Sequence, residues 1–373
     1  MKIIPCIIGL GYVGLPITLN LANSFVTYGF DKNRKRIENL KNKIDVNREF
    51  GPKKFDNIKK IIFTNKIKDI KKCNFFILCL PTPIHKNKKP DLTDLNDAIE
   101  IISTILKRND IIFLESTVFP GITEQYKNYL EKKTNLNNNK DFFIGYSPER
   151  MNPGDKKYTL KNITKVVAIE TKNRKALEKI YKIYNKISRK LIISKDIRAA
   201  ETAKVIENIQ RDLNIALMNE ILLICKKLKI NFKEVMRLAK SKWNFMNFMP
   251  GLVGGHCLPV DPYYLSTISK KNNLKTEITL AGRKINDRML NYITKELNYF
   301  LNKKNKTLKN SKIMIVGLTY KAGVADMRNS LNFKIFKKIK KYNNKIYGCD
   351  PFVAKNIKIT FGIHNDVKKN INY

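Results

Sequence analysis

A chain of 373 residues is longer than a single hydrophobic core usually serves, so two or three domains are expected. Lys and Arg number 73 against 32 Asp and Glu, a formal charge of +41. The basic residues are not gathered into a stripe. They are spread along the whole length among Asn and Ile, as at Lys41-Asn42-Lys43-Ile44 and over 303–309. That pattern argues for compositional drift and against nucleic-acid recognition, while leaving a surface that attracts anionic substrates. The cysteines at 6, 73, 79, 225, 257 and 349 form no C-x-x-C and no disulfide-scaffold spacing, which fits a reducing, cytoplasmic setting. The three histidines are far apart, so no metal is expected. The apolar run from Ile3 to Ala22 is interrupted by Gly9, Gly11 and Gly14, which a signal peptide does not require, and no other stretch reaches the length of a membrane span.

In chain order, short apolar runs at Ile3 to Gly9, Val26 to Asp31, Phe75 to Leu80, Ile111 to Glu115 and Phe142 to Tyr146 read as buried parallel strands. Helical patterns such as Leu95 to Lys107 lie between them, the alternation of a doubly wound α/β sheet. Residues 135–141 read as a polar loop. Arg198 to Lys229 reads as one long helix with an apolar stripe at Ile206, Ile209, Leu213, Leu217 and Ile221, linking two domains. Helical patterns follow at Phe232 to Leu238 and Lys275 to Phe300, then a Lys- and Asn-rich stretch from Asn302 to Ser311 that suits a boundary or exposed loop. A second α/β domain then opens: a strand at Lys312 to Gly317, a helix at Asn329 to Lys341, a strand at Lys345 to Asp350 and one further strand around Ile357 to Ile363. The resulting division is 1–196, 197–301 and 302–373.

Gly9-Leu10-Gly11-Tyr12-Val13-Gly14 follows the first strand and opens a helix, and Asp31 ends the second strand about 20 residues on, the Rossmann fingerprint for a dinucleotide. Glycines let the backbone approach a pyrophosphate at a helix N-terminus. Asp31 would accept hydrogen bonds from the adenosine ribose, which favours NAD. Arg36 is either a ribose contact or a solvated helix residue.

Further along, Cys257 sits in Val253-Gly254-Gly255-His256-Cys257-Leu258-Pro259-Val260-Asp261, a glycine-rich turn that leaves a thiol accessible, whereas Cys73, Cys79 and Cys225 lie in apolar segments. Lys204 and Asn208 are one helical turn apart and share a face distinct from the apolar stripe. The helix alone does not distinguish Lys204 from a solvated lysine.

The motifs GLGYVGLP at 9–16, ESTVFPG at 115–121, YSPERMNPGD at 146–155, AAETAKVIENIQRDLNIALMNE at 199–220, GLVGGHCLPVDPYYL at 251–265 and GLTYKAGVADMRNS at 317–330 occur in one order. With them the chain resembles the UDP-glucose/GDP-mannose dehydrogenase family from residue 1 to about 352. The resemblance implies an N-terminal NAD-binding Rossmann domain, a central helical region that forms a homodimer, and a Rossmann-like UDP-binding domain that ends early, at Tyr373. It further implies a four-electron oxidation of a UDP-sugar C6 hydroxyl with two NAD+ reduced, through a thiohemiacetal and a thioester on Cys257, for surface polysaccharide precursors. Lys204 and Asn208 would stabilise an oxyanion, Asp261 would orient Lys204 or a water, and Glu149 with Thr117 would position the hydrolytic water. Gly9, Gly11, Tyr12, Val13, Gly14, Asp31, Arg36, Thr82, Thr117 and Arg328 match NAD-contacting positions, Arg328 at the subunit interface. Glu149, Arg150, Met151, Lys204, Asn208, Arg211, Gly254, Tyr320 and Lys321 match substrate-contacting ones.

The stretch SPERMNPGD resembles the subgroup acting on UDP-N-acetylhexosamines, UDP-GlcNAc or UDP-GalNAc. Leu258-Pro259 and Ala322-Gly323 depart from that subgroup and leave the sugar open, UDP-glucose included. The competing readings are a hydroxyacid dehydrogenase, which needs no cysteine, and a shortened NAD-binding remnant without activity.

Overall fold

A computed structural model describes residues 2–56, 58, 60–151, 155, 157–353 and 363–364. The chain divides into two compact units, Met1–Ile206 and Glu207–Tyr373, and the division falls inside a single long helix, Ile197–Lys227. No helix of the described residues is long and apolar enough to cross a membrane.

The first unit is built on strands β1 (Pro5–Ile8), β2 (Thr27–Phe30), β3 (Ile61–Thr64), β4 (Phe75–Leu78), β5 (Ile111–Leu114), β6 (Phe143–Tyr146), β7 (Thr164–Ala168) and β8 (Lys190–Ser194). They form one sheet in the order 3-2-1-4-5-6-7-8, parallel except where β7 runs antiparallel to β6. The first six strands have the Rossmann order, in which the strand order reverses between β1 and β4 and leaves a crevice at their carboxyl ends. Every residue of β1, β2, β4, β5 and β6 is buried, which is why these strands read as unbroken apolar runs. The five anticipated strands are present, each trimmed by one to three residues.

Three strands escaped the reading. β3 is only half-buried, β7 carries the buried Lys165, and β8 is an exposed edge, so none forms a plain apolar run. The helices Ile122–Thr134 and Arg174–Ile187 were also unread, although both carry buried residues at helical spacing: Ile122, Tyr126 and Leu130 in one, Ala176, Ile180, Ile183 and Ile187 in the other.

The second unit carries strands β9 (Ile313–Val316), β10 (Ile346–Cys349) and β11 (Ile363–His364), parallel and ordered 11-10-9. Of the strand expected around Ile357 to Ile363, residues 357–362 lie outside the described residues, and Ile363 pairs with Gly348. Helix Leu331–Lys340 covers this sheet, its N-terminus capped by the Ser330 hydroxyl at 3.3 Å from the Phe333 N–H.

The long helix corrects the expected apolar stripe. Ile209 is buried as expected, but Ile206 and Leu217 are exposed and Leu213 and Ile221 only half-buried, while Asp212, Ala216 and Asn219 are buried. The reason is a polar seam against helix Glu277–Asn302. Asp212 accepts from Arg283 and from Asn286 Nδ2 at 2.8 Å, and Asn219 Nδ2 donates to Asn286 Oδ1 at 2.8 Å. Helix contact is close: a Cβ on Gly282 would lie 2.4 Å from Leu213 Cδ2. Asn219 also exchanges hydrogen bonds of 2.9 and 3.0 Å with the backbone of Gly251, where the cysteine loop begins.

In the first unit the N-terminal end of the long helix caps another helix. The buried Glu201 carboxylate accepts from the Gly121 N–H at 2.6 Å, the Thr123 N–H at 2.9 Å and the Thr123 hydroxyl at 2.7 Å, satisfying the first turn of Ile122–Thr134. Glu201→Ala should therefore lower the stability of the first unit by about 2 kcal/mol or more, read as an earlier urea transition, with Glu201→Gln intermediate.

Candidate active site

Each glycine of the first loop has its own reason. Gly9 has φ +91°, and a Cβ there would lie 2.6 Å from the Cys79 carbonyl oxygen. A Cβ on Gly14 would fall 1.8 Å from the Gly9 carbonyl oxygen, so the helix Gly14–Leu21 can start this close to β1 only without a side chain. At Gly11 nothing lies within 4 Å of where a Cβ would stand, so protein packing does not demand a glycine there; a pyrophosphate approaching the backbone would. Tyr12 and Val13 are half-buried behind it.

Asp31 accepts from the Leu10 N–H at 2.9 Å through Oδ2 and from the Asn33 N–H at 2.9 Å through Oδ1, which sets its carboxylate beside the glycine loop. Arg36 is not solvated. It is buried, its Nε donates to the Leu10 carbonyl at 2.9 Å and its Nη1 pairs with the buried Asp45 at 2.9 Å. Its Nη2 is buried with no hydrogen-bond partner, a donor left over next to the loop. On the other side of the crevice, the Thr82 hydroxyl donates to the Thr117 carbonyl at 2.7 Å and so ties the loop after β4 to the loop after β5. The residues fit a dinucleotide.

Glu149 and Lys204 come together in the same unit. Both are buried, and the Lys204 ammonium donates to the Glu149 backbone carbonyl. Glu149 Oε1 accepts from the Met151 N–H, and Oε2 accepts from Lys165 Nζ at 3.0 Å. Burial is the largest influence on the Glu149 carboxyl and would raise its pKa. The Lys165 charge, the hydrogen bonds and the Lys204 charge together outweigh it and hold the group below the usual carboxylate range. Lys165 and its second partner, Glu115, were missed: a lysine in a strand of the pattern Thr-Lys-Val-Val gives no sign that it faces carboxylates. Met151 packs against the apolar core, and Arg150 is half-buried. Residues 152–154 of the SPERMNPGD stretch lie outside the described residues.

In the second unit, Cys257 is the exposed cysteine, while Cys6, Cys73, Cys79, Cys225 and Cys349 are buried. Its carbonyl accepts from the N–H groups of Val260 and Asp261, both at 2.9 Å, so the loop runs directly into helix Asp261–Lys271. Asp261 is itself buried and accepts from Asn208 Nδ2 at 2.5 Å. The double glycine seats the loop on residues 317–330. A Cβ on Gly254 would lie 2.7 Å from the Asn329 carbonyl oxygen, and one on Gly255, at φ +93°, 2.9 Å from the Tyr320 ring.

His256 completes the seat. Its Nε2 lies 2.8 Å from Asp326 Oδ2, and its ring stands edge-on to Tyr320 at 5.5 Å. Burial would raise the Asp326 carboxyl, but His256 and Arg328, whose Nη2 is 2.7 Å away, hold it far below the ordinary range. Asp326 carries no sequence signal of this role. Of the remaining expected substrate positions, Tyr320 and Lys321 are half-buried and Arg211 is exposed.

Three domain profiles of one family match the chain in order: the NAD-binding domain over residues 1–188, the central domain over 198–288 and the UDP-binding domain over 314–372. The UDP-N-acetyl-D-glucosamine 6-dehydrogenase of Salmonella typhi is 45% identical over 360 residues, 96% of this chain and 84% of that protein. The Pseudomonas aeruginosa protein of the same name is 41% identical, covering 93% of this chain and 82% of its own. The solved UDP-D-ManNAc dehydrogenase of Pyrococcus horikoshii superposes with a TM-score of 0.87 at 29% identity, over 98% of this chain and 86% of that one. The glycine loop, Asp31 and the unsatisfied Arg36 nitrogen thus lie in an NAD-binding domain, and NAD is the cofactor. A central domain with an exposed cysteine and a UDP-binding domain follow it, and the chain belongs to the UDP-glucose/GDP-mannose dehydrogenase family, NAD-dependent enzymes acting on UDP-sugars.

Proposed function

We propose that this chain oxidises the C6 hydroxymethyl of UDP-N-acetylglucosamine to the carboxylate, with Cys257 as covalent nucleophile, to make precursors of a surface polysaccharide in the cytoplasm. The exposure of Cys257 on a glycine-framed loop held by His256 and Asp326 supports the chemistry most directly. For the sugar, support comes from the 45% and 41% identity to proteins named for UDP-N-acetyl-D-glucosamine. UDP-GalNAc is the second choice.

The cofactor, when bound, removes hydride from C6, and two NAD+ are reduced in all. Gly9, Gly11, Tyr12, Val13, Gly14, Asp31, Arg36, Thr82 and Thr117 would hold it, and Arg328 would reach it from a partner subunit. The chain's residues do the rest. The Cys257 thiolate adds to the C6 aldehyde carbon, and the thiohemiacetal so formed keeps the aldehyde from escaping. Lys204 brings positive charge, and Asn208, aligned by Asp261, brings an N–H, to the oxygen that becomes negative. After the second oxidation the acyl group is a thioester, which a water held by Glu149 and Thr117 hydrolyses. Arg150, Met151, Arg211, Gly254, Tyr320 and Lys321 hold the nucleotide sugar. Developing charge meets groups already in place, the usual source of the largest rate contribution.

Assembly as a homodimer through the central helices is supported by Leu217 and Ile224, apolar and exposed on the second half of the long helix, and by exposed Leu228 just after it.

Replacing Cys257 with Ala should stop sustained NADH formation from UDP-GlcNAc by about 10³-fold or more while leaving NAD+ binding intact. Unchanged turnover would favour a hydroxyacid-type dehydrogenase. UDP-GlcNAc should exceed UDP-GalNAc and UDP-glucose in kcat/KM; a preference for UDP-glucose would overturn the sugar assignment, and failure of every sugar in folded, NAD+-binding protein would leave only a cofactor-binding remnant. Light scattering should give about twice the 43.3 kDa chain mass, and Leu217→Glu with Ile224→Glu should halve it. A monomeric starting protein would contradict the dimer.

A further inference from the structure

The described residues of the first unit bury an ionic cluster around Glu149 in which the chemistry above leaves Lys165 and Glu115 without a task. Lys165, on β7, is fully buried. Its ammonium has three N–H donors and three acceptors: the Glu115 carboxylate, Glu149 Oε2 at 3.0 Å and the Pro148 carbonyl at 3.2 Å. The other Glu115 oxygen accepts from the Tyr184 hydroxyl at 3.0 Å. A lysine with no exposure and every donor satisfied has one orientation, and here two of its three bonds go to consecutive residues of the segment that carries Glu149.

We propose that Lys165, clamped between Glu115 and Glu149, is a positioning residue that holds the Glu149 carboxylate in place, ionised, for hydrolysis of the Cys257 thioester. The proposal rests on the reading of Glu149 as the water-binding base. In the hydrolysis the water oxygen bonds to the acyl carbon, the C–S bond breaks, sulfur leaves as thiolate, and the water proton passes to Glu149. Only the ionised carboxylate can take that proton. A buried glutamate beside a second carboxylate would otherwise hold its own.

The charged and titratable groups around Glu149 come from five elements. They are Lys165 on β7, Glu115 at the end of β5, Cys79 just after β4, Tyr184 on helix Arg174–Ile187, and Lys204 on the long helix, with Arg150 next in the chain. Burial is the largest influence on Lys165, yet the two carboxylates push it up to about 12, so it stays charged through the working range. Burial pushes Glu115 up to about 7, against the pull of Lys165. Of the two carboxylates, Glu115 is thus the one that carries a proton when the cluster gains one, and Glu149 stays ionised.

The test measures hydrolysis separately from oxidation, with NAD+ and UDP-GlcNAc as substrates. Lys165→Met should form NADH in a burst of about two per site and then slow about 100-fold at pH 7, with a uronyl adduct on Cys257 in the intact mass spectrum. Its hydrolysis should rise about tenfold per pH unit above pH 7 as Glu149 ionises, an acid limb displaced upward from that of the unsubstituted protein. Glu115→Gln, which leaves Lys165 paired with Glu149 alone, should show an acid limb at the same or lower pH. A lysine that merely supports the fold would lower both phases together and leave the limb in place, and that result overturns the proposal. Should Lys165→Met fail to fold, an upward shift of the limb in Glu115→Gln overturns it by itself. If the underlying reading of Cys257 and Glu149 were wrong, Glu149→Gln would trap no adduct. That failure is distinct from one in which Glu149→Gln traps the adduct and Lys165→Met hydrolyses it normally.

Discussion

The buried contact between Lys165 and its two carboxylates constrains more of the first unit than any single apolar contact. Desolvating an ion costs several kcal/mol, and losing one partner of a buried pair typically costs about 3–5 kcal/mol, because the charge left behind has no water to turn to. Every donor on Lys165 and both oxygens of Glu115 and Glu149 therefore have partners. The satisfied cluster fixes the relation of β5, β7, helix Arg174–Ile187 and the 148–151 segment. Lys204 then donates to the carbonyl of Glu149, which ties the first-unit end of the long helix to that segment. Under the role proposed for Glu149, function and fold meet in one residue, since the same carboxylate satisfies the lysine.

The second unit uses the same device on a smaller scale. Asp326 is held ionised by His256 and Arg328, and in return it seats the cysteine loop on the 317–330 loop, where the ring of Tyr320 leaves no room for a side chain at Gly255. The thiol stays exposed because the backbone on either side is tied down by other groups: Asn219 at Gly251, and the start of helix Asp261–Lys271 beyond it. The net charge of +41 on the chain gives an anionic nucleotide sugar and dinucleotide a favourable long-range field.

Much of this was legible in the sequence where one physical effect dominates. Strands buried on both faces write themselves as apolar runs, and β1, β2, β4, β5 and β6 were read so. Gly9 and Gly14 follow from steric demands that only glycine meets, and Asp31 from the need for an acceptor beside the loop. Legibility ended where polar groups are buried in pairs. Apolar spacing in the long helix predicts an apolar stripe, yet its buried face carries Asp212 and Asn219, matched by Arg283 and Asn286 more than 60 residues away. Lys165, Glu115 and Glu201 were silent for the same reason, because a charged residue announces burial only through partners that here are distant in sequence, as His256 is from Asp326. Arg36 was weighed between ligand contact and solvent, and its bond to the Leu10 carbonyl has a third meaning, support of the glycine loop itself.

The central claim is that one site carries out both oxidations without releasing the aldehyde. It is tested most directly by counting NADH formed per UDP-GlcNAc consumed, at completion, with the sugar product identified by mass. The account predicts two NADH per sugar and the uronic acid as the only product. One NADH per sugar with a free C6 aldehyde in solution would contradict it, because Cys257 would then capture nothing.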